Sequence, residues 1–274
     1  MIKIILAALF VVTVLSPPAG AESIRMAGSG GMIPLMNDLA GAYMKKYPGE
    51  IIEVDQKSLG TVGGILAARD NAVDIGMTAK RLSRELKALK LKEFEIARVP
   101  VEFGVNRAVT VTNLTDRQIC DLYAGRITNW RQLGSGDAPV ALLSRPDTDS
   151  TYLAVAEGLG CFASNSKGDR VRVLLKSKEM ADELARVSNA IGIVDSVVIA
   201  KSGGKIRPLA LNGKKASPEA VARGNWPMVK EFTLVLGQRK SPAIRRFLQF
   251  IQSPQGKAII TKNDALPTTF KIDF

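Results

Sequence analysis

The chain has 274 residues and a formal net charge of +12, with no histidine and only two cysteines. The missing histidine excludes His-dependent triads and the commonest general base, and with so little cysteine the usual metal-ligand sets are excluded as well. Aromatic residues make up 5% of the chain and form no motif with basic ones, so the dispersed basic excess suggests attraction to anions and gives no support to nucleic-acid binding.

Residues 1–21 read as a secretory signal peptide. Lys3 precedes an apolar run from Ile4 to Leu15 broken only by Thr13, then come helix breakers and the small-residue triplet Ala19, Gly20, Ala21, with cleavage expected before Glu22. No cysteine follows the run to carry a lipid anchor. No later segment approaches the roughly 18 consecutive apolar residues of a membrane span. The mature protein is therefore expected to be soluble and exported, periplasmic or secreted.

Residues 23–28 read as a strand, after which Met32, Met36, Leu39, Tyr43 and Met44 recur at helical spacing, with Pro34 tolerated in the first turn. A strand over 51–56, a helix over 60–68 and a strand over 72–78 follow, an alternation that argues for a parallel sheet covered on both faces. The pattern changes over 98–112, where two β-rich runs come in quick succession before Thr115 caps a helix carrying Ile119, Leu122 and Tyr123. A second α/β unit is expected from near Glu102, containing a strand over 139–144, the helix after Asp149, a helix with Met180, Leu184 and Val187, and a strand over 190–195. Another buried strand covers 231–237, and Ile244, Phe247, Leu248 and Ile251 form the apolar stripe of a late helix. Two α/β units without a linker suggest a chain that crosses between them and returns. In an exported protein Cys120 and Cys161 could close a loop worth about 3 to 4 kcal/mol on the chain-entropy estimate; two buried free thiols are the alternative.

Three places share one design, in which a strand ends, a glycine- or hydroxyl-rich turn follows and a helix begins. They lie at 27–32, 58–64 and 144–151. Free N–H groups at a helix start bind anions, glycine lets the backbone approach closely, and serine or threonine adds a hydroxyl donor. Ser29, Thr61 and Asp149 could each be an ordinary N-cap. Three such loops in one α/β chain, one of them with an arginine able to grip an oxyanion bidentately, favour a site at the carboxyl ends of the strands.

The segment YAGRITNWRQLG, Tyr123 to Gly134, resembles the Y-x-G-x-I-x-x-W signature of the phosphate-binding proteins of bacterial phosphate ABC transporters. AGSGGMIPL, DIGMTAKRL, AIGIVD and FLQFIQSPQGKAII resemble further family segments in the right order. The resemblance implies the type II periplasmic-binding-protein fold: α/β, two lobes, each a mixed sheet flanked by helices, with the ligand in the cleft between them. Lobe one would be residues 22–101 plus 225–274, and lobe two 102–224. The implied function is capture of phosphate or a related oxyanion and its presentation to a membrane permease of an ABC importer, by a monomer, without cofactor, metal or catalysis. A sensor docking a membrane receptor, or a binding protein for a non-phosphate ligand, are the alternatives. A phosphate-ester hydrolase would need a nucleophile with a base or metals, and the chain has neither histidine nor clustered carboxylates.

By motif position, Ser29, Gly30, Gly31 and Met32 would supply the first ligand loop, Thr61 would replace a ligand-binding serine, and Thr78 would fall at the hydroxyl position of the third strand. Arg145 would clamp the anion, Asp147 would orient Arg145's site, and Ser150 and Thr151 would complete the loop. Three departures stand out: Gly31 replaces a threonine, Asp149 occupies the place of a ligand-binding serine, and Ala79 stands where some relatives carry an aspartate that accepts the proton of hydrogen phosphate. A carboxylate within about 4 Å of an anion would cost on the order of 4 kcal/mol at an effective dielectric of about 20 unless a proton bridges them. Asp149 could take over the proton-accepting role, cap its helix, or meet a ligand that is not phosphate. Lys57 and Lys80 flank the proposed loops and read as surface lysines; Trp130 and Trp226 read as packing residues.

Overall fold

The computed structural model describes residues 22–80, 89, 91–165 and 168–274. The signal-peptide reading of residues 1–21 lies outside the described residues. Among the described residues twelve strands run in chain order as β1 Ser23–Gly28, β2 Ile51–Val54, β3 Ile75–Thr78, β4 Lys92–Asn106, β5 Asn113–Leu114, β6 Ala141–Ser144, β7 Val171–Val173, β8 Ala190–Asp195, β9 Ile206–Pro208, β10 Ala210–Leu211, β11 Val229–Leu236 and β12 Leu266–Pro267. The main sheet has the order β2-β1-β3-β11-β4-β8-β6-β7, with β9 and β12 also pairing to β4.

β4 joins the two lobes. Its first part pairs antiparallel with β11, ending at Pro100 opposite Val229, and its second part pairs antiparallel with β8 from Val101 opposite Asp195. A strand of 15 residues spans about 50 Å at 3.3 Å per residue, long enough to serve both lobes without a linker. The β-rich stretch that reads as two runs is thus the end of this strand, Asn106, followed by an irregular segment to β5. The alternation of strands and helices gives parallel pairs at β1–β2, β1–β3, β6–β7 and β6–β8, as expected for crossover connections.

Each lobe has its own apolar core. Lobe one packs Met32, Met36, Leu39 and Tyr43 of the Ile33–Lys46 helix and its start against Ile244, Phe247, Leu248 and Ile251 of the Pro242–Gln252 helix. Lobe two packs Phe103, Tyr123, Phe162 and Trp130 among the branched residues of β6 and β8. Trp130 and Trp226 are buried and donate through Nε1 to Asn189 O and Val101 O, so both are packing residues. The Asp116–Tyr123 helix begins with the capping box of Thr115 and Gln118. Cys120 and Cys161 form a disulfide, with Cα atoms 5.8 Å apart, that ties this helix to Gly160–Asn165. Among the described residues no helix is long and apolar enough to cross a membrane.

The glycines of the first two loops are largely packing devices. Gly28 has φ +148°, and a Cβ there would lie 2.1 Å from Met77 O, so only glycine lets β1 end against β3. A Cβ on Gly64, in the Gly60–Arg69 helix, would likewise stand 2.8 Å from the Gly28 Cα and from Met77 O. This close packing sets the position of the Ser29–Met32 turn.

Candidate functional site

The first turn follows directly from the close approach of β1 to β3. Ser29 N–H donates to Met77 O and Met32 N–H to Ser29 O, while the N–H groups of Gly30 and Gly31 have no acceptor among the described residues. Met32 is fully buried in the lobe-one core, so its place in the turn is structural. A Cβ on Gly31 would stand 2.9 Å from Asp195 Oδ2, 3.1 Å from Lys230 Nζ and 3.7 Å from Ser177 Oγ. A side chain at residue 31 would therefore press on the ends of the Asp195 and Lys230 side chains in the opposite wall of the cleft.

That wall is built around two ion pairs. Arg145, at the end of β6, is 5% exposed and donates through its two terminal nitrogens to Leu174 O (2.8 Å) and to Asp149 Oδ2 (2.7 Å). Its Nε is buried with no hydrogen-bond partner. Asp149 caps the Ser150–Gly158 helix, its Oδ1 accepting from the N–H groups of Thr151 and Tyr152. Burial works to raise the Asp149 carboxyl, but the hydrogen bond and charge of Arg145, together with Lys230 and the Thr151 N–H, outweigh it and hold Asp149 below its ordinary range.

The second pair crosses between lobes. Lys230, on lobe-one strand β11, reaches lobe two with Nζ 2.7 Å from Asp195 Oδ2 and 3.1 Å from Thr151 Oγ1. Both ionic side chains of this pair are 2% exposed. Asp195 ends β8, and its other oxygen caps the Ser196–Ala200 helix by accepting from Val198 N–H. Arg145, Thr151, Ser177 and Asp195 line one small buried void.

Gly31, Arg145, Asp149 and Thr151 therefore come together with Lys230, Asp195 and Ser177. Ser150 is buried and lines a separate pocket with Lys80 and Lys230. Thr61 sits on lobe one, its hydroxyl accepting from Ala79 N–H at 3.1 Å. The hydroxyl of Thr78 is buried with no hydrogen-bond partner. Asp147 is exposed in the turn, and Asp149 accepts a hydrogen bond from Arg145. Lys57 is exposed.

Lys230, Asp195 and Ser177 escape sequence reasoning, although one signal for Lys230 exists. It shares a face of β11 with Phe232, Leu234 and Leu236, all buried, and a lysine in phase with an apolar strand face needs a buried partner.

Glu102, on β4 beside this cluster, is 5% exposed. Burial, and then the negative charges of Asp264 and Asp195, push its carboxyl up to about 8. Its ordinary value is 4.5, so its contribution to stability is full below about pH 4.5, falls as the pH rises and is gone above about 8. Urea unfolding of Glu102→Gln should match wild type at pH 5 and exceed it at pH 9 by a few kcal/mol. A constant difference between the two pH values would refute this ionisation behaviour.

Residues 15–255 match the family model of the PBP superfamily domain. Among curated proteins, the chain is 25% identical over 251 residues to the phosphate-binding protein PstS of Bacillus subtilis (strain 168), covering 90% of this chain and 81% of that one. Among solved structures, it resembles a phosphate ABC transporter substrate-binding protein with bound phosphate from Clostridium perfringens, at 28% identity and a TM-score of 0.79, covering 90% of this chain and 100% of the other. An ABC-type phosphate transport receptor from Vibrio cholerae shares the fold at 22% identity and a TM-score of 0.63, covering 89% and 99% of the two chains.

Proposed function

Because the chain belongs to the PBP superfamily, we propose that its interlobe cleft captures inorganic phosphate outside the cytoplasm and presents it to an ABC-type membrane permease. The observation that carries this reading is a contact between the lobes at one hydroxyl: Lys230 from lobe one bonds Thr151 of lobe two, two residues after the Asp149 that pairs with Arg145, and Arg145 lines the same small void as Thr151. The lobes are taken as 22–101 with 225–274 and as 102–224, hinged where β4 and the segment leading into β11 pass from one to the other.

The ligand set is Gly30 and Gly31 N–H, the hydroxyls of Thr78, Ser150 and Thr151, and the cations Arg145 and Lys230, with Ser29 and Thr61 shaping the lobe-one wall. Asp149 and Asp195 each have both oxygens engaged, one in a helix cap and one in an ion pair, so position decides between them. Asp195, whose Oδ2 faces Gly31, is the better-placed acceptor for a phosphate proton. The formal charges of Arg145 and Lys230 balance those of Asp149 and Asp195, so affinity rests on aimed donors in a dry cleft and not on excess positive charge. The chain acts as a receptor and not as a hydrolase: Lys230, the amine nearest the Thr151 hydroxyl, is tied to the Asp195 carboxylate and is a poor general base.

Thermal melting of refolded, anion-stripped protein tests this. Phosphate at about 100 times its dissociation constant should stabilise by about 2.7 kcal/mol, raising the melting temperature by roughly 5 to 10 °C, while sulfate leaves it unchanged. Absence of a phosphate shift would overturn the proposal.

A further inference from the structure

A cavity of about 770 Å³ opens between the lobes beside the cleft, within the range of pockets that hold small organic ligands. It meets the cleft at Ser177, which lines both the cavity and the buried void with Arg145, Thr151 and Asp195. On the other wall it meets Gly30 and Ser58, where a Gly30 Cβ would stand 3.0 Å from Ser58 Oγ. A group seated in the cleft thus lies one side chain away from this space.

The cavity has two chemical characters. Its floor is apolar, formed by Ile33, Pro34, Ala181, Ala185, Val198 and Ile206, and its rim carries Lys57, Lys176, Lys178, Lys201 and Lys205 against one carboxylate, Asp182. Lys178 is paired with Asp182 at 2.6 Å and Lys201 with Asp38. Lys57, Lys176 and Lys205 have no carboxylate partner among the described residues. No aromatic ring lines the space among those residues, so nothing there would stack a base.

We propose that this cavity is an outer subsite for the body of a phosphate monoester whose phosphoryl group occupies the cleft: a short aliphatic body on the apolar floor, and a second anionic group held by the rim lysines. The inference rests on the cleft being a phosphoryl site. Apolar floor and cationic rim together match an organic anion better than a bare inorganic one, since a free phosphate ion has nothing to place on Ala185 or Ile206. Lysine suits the second group because its mobile ammonium takes an anion without demanding fixed geometry.

Titration calorimetry of the full chain with orthophosphate, glycerol 3-phosphate and 3-phosphoglycerate provides the test. The carboxylate-bearing ester should bind at least tenfold more tightly than glycerol 3-phosphate and compete with orthophosphate at one site. Lys176→Ala/Lys205→Ala should cost 3-phosphoglycerate at least tenfold while orthophosphate stays within twofold of wild type. Orthophosphate binding with exclusion of both esters, or esters that bind alike and ignore the lysines, would overturn the subsite and leave the cleft reading intact. An equal loss for orthophosphate would show that the lysines only steer anions, which also overturns it. Variant-sensitive binding of 3-phosphoglycerate without orthophosphate binding would sustain the subsite and sink inorganic phosphate as the ligand; no binding at all would sink both.

Discussion

Lys230→Met is expected to abolish phosphate binding and to cost about 3 to 5 kcal/mol of stability, the usual penalty for stranding one half of a buried ion pair. Lys230 Nζ lies 2.7 Å from Asp195 and 3.1 Å from Thr151 with almost no solvent access, so methionine fills most of the same path but leaves the Asp195 carboxylate facing Gly31 without a counter-charge. Loss of binding in that variant alone could reflect a damaged fold. The double variant Lys230→Met/Asp195→Asn removes both charges and should recover most of the lost stability, because replacing a buried pair by neutral groups is often close to neutral. Calorimetry on the recovered double variant then decides the role of the lysine. Phosphate binding that is weak or absent in the stable double variant but kept by Asp195→Asn alone marks Lys230 as a ligand cation, and wild-type affinity would reduce it to an interlobe strut.

The resemblance and the alternation of elements made the two-lobed α/β architecture legible, because short β-rich and helical segments carry their periods locally. The extent of β4 was less so: Arg98 to Thr112 reads as two runs, since the chain gives no mark at Pro100 and Val101 that pairing passes from β11 to β8. In the cleft, Arg145 and Thr151 stand out because a strand, a turn and a helix start lie within one short segment. The pair that crosses the cleft does not, because Asp195 and Lys230 are 35 residues apart and meet only through β4, where Val101 pairs with Asp195 and Val99 with Lys230. Asp149 illustrates the limit of motif comparison. Its position suggested a proton acceptor, a cap or a different ligand, and the structure uses it as a cap that also braces Arg145. The glycine at 31 reads as a lost hydroxyl in comparison with relatives, whereas in the fold a side chain there would meet the end of the Asp195–Lys230 pair.

Asp195→Asn should change which oxyanion the cleft accepts, and Asp149→Ser should not. Asp195 Oδ2 faces the Gly31 turn across 2.9 Å from where a Cβ would stand, so a bound anion presents an oxygen to it. Hydrogen phosphate can meet a carboxylate with a proton between them; sulfate, which carries none, meets it as a like charge. That repulsion is on the order of 4 kcal/mol at 4 Å and an effective dielectric of about 20, which corresponds to a discrimination of roughly a thousandfold. Asparagine offers an N–H in place of a lone pair, so the phosphate-to-sulfate ratio of affinities should collapse by two to three orders of magnitude on that scale. The unpaired Lys230 would make the empty variant less stable, and either anion should restore it, so melting temperatures with each anion read the same selectivity as calorimetry. Serine at 149 keeps an N-cap hydroxyl for the Ser150–Gly158 helix while loosening Arg145, which should weaken both anions together. If instead Asp149→Ser shifts the ratio and Asp195→Asn does not, the proton acceptor sits in the Arg145 loop, and the carboxylate at the end of β8 serves only to anchor Lys230.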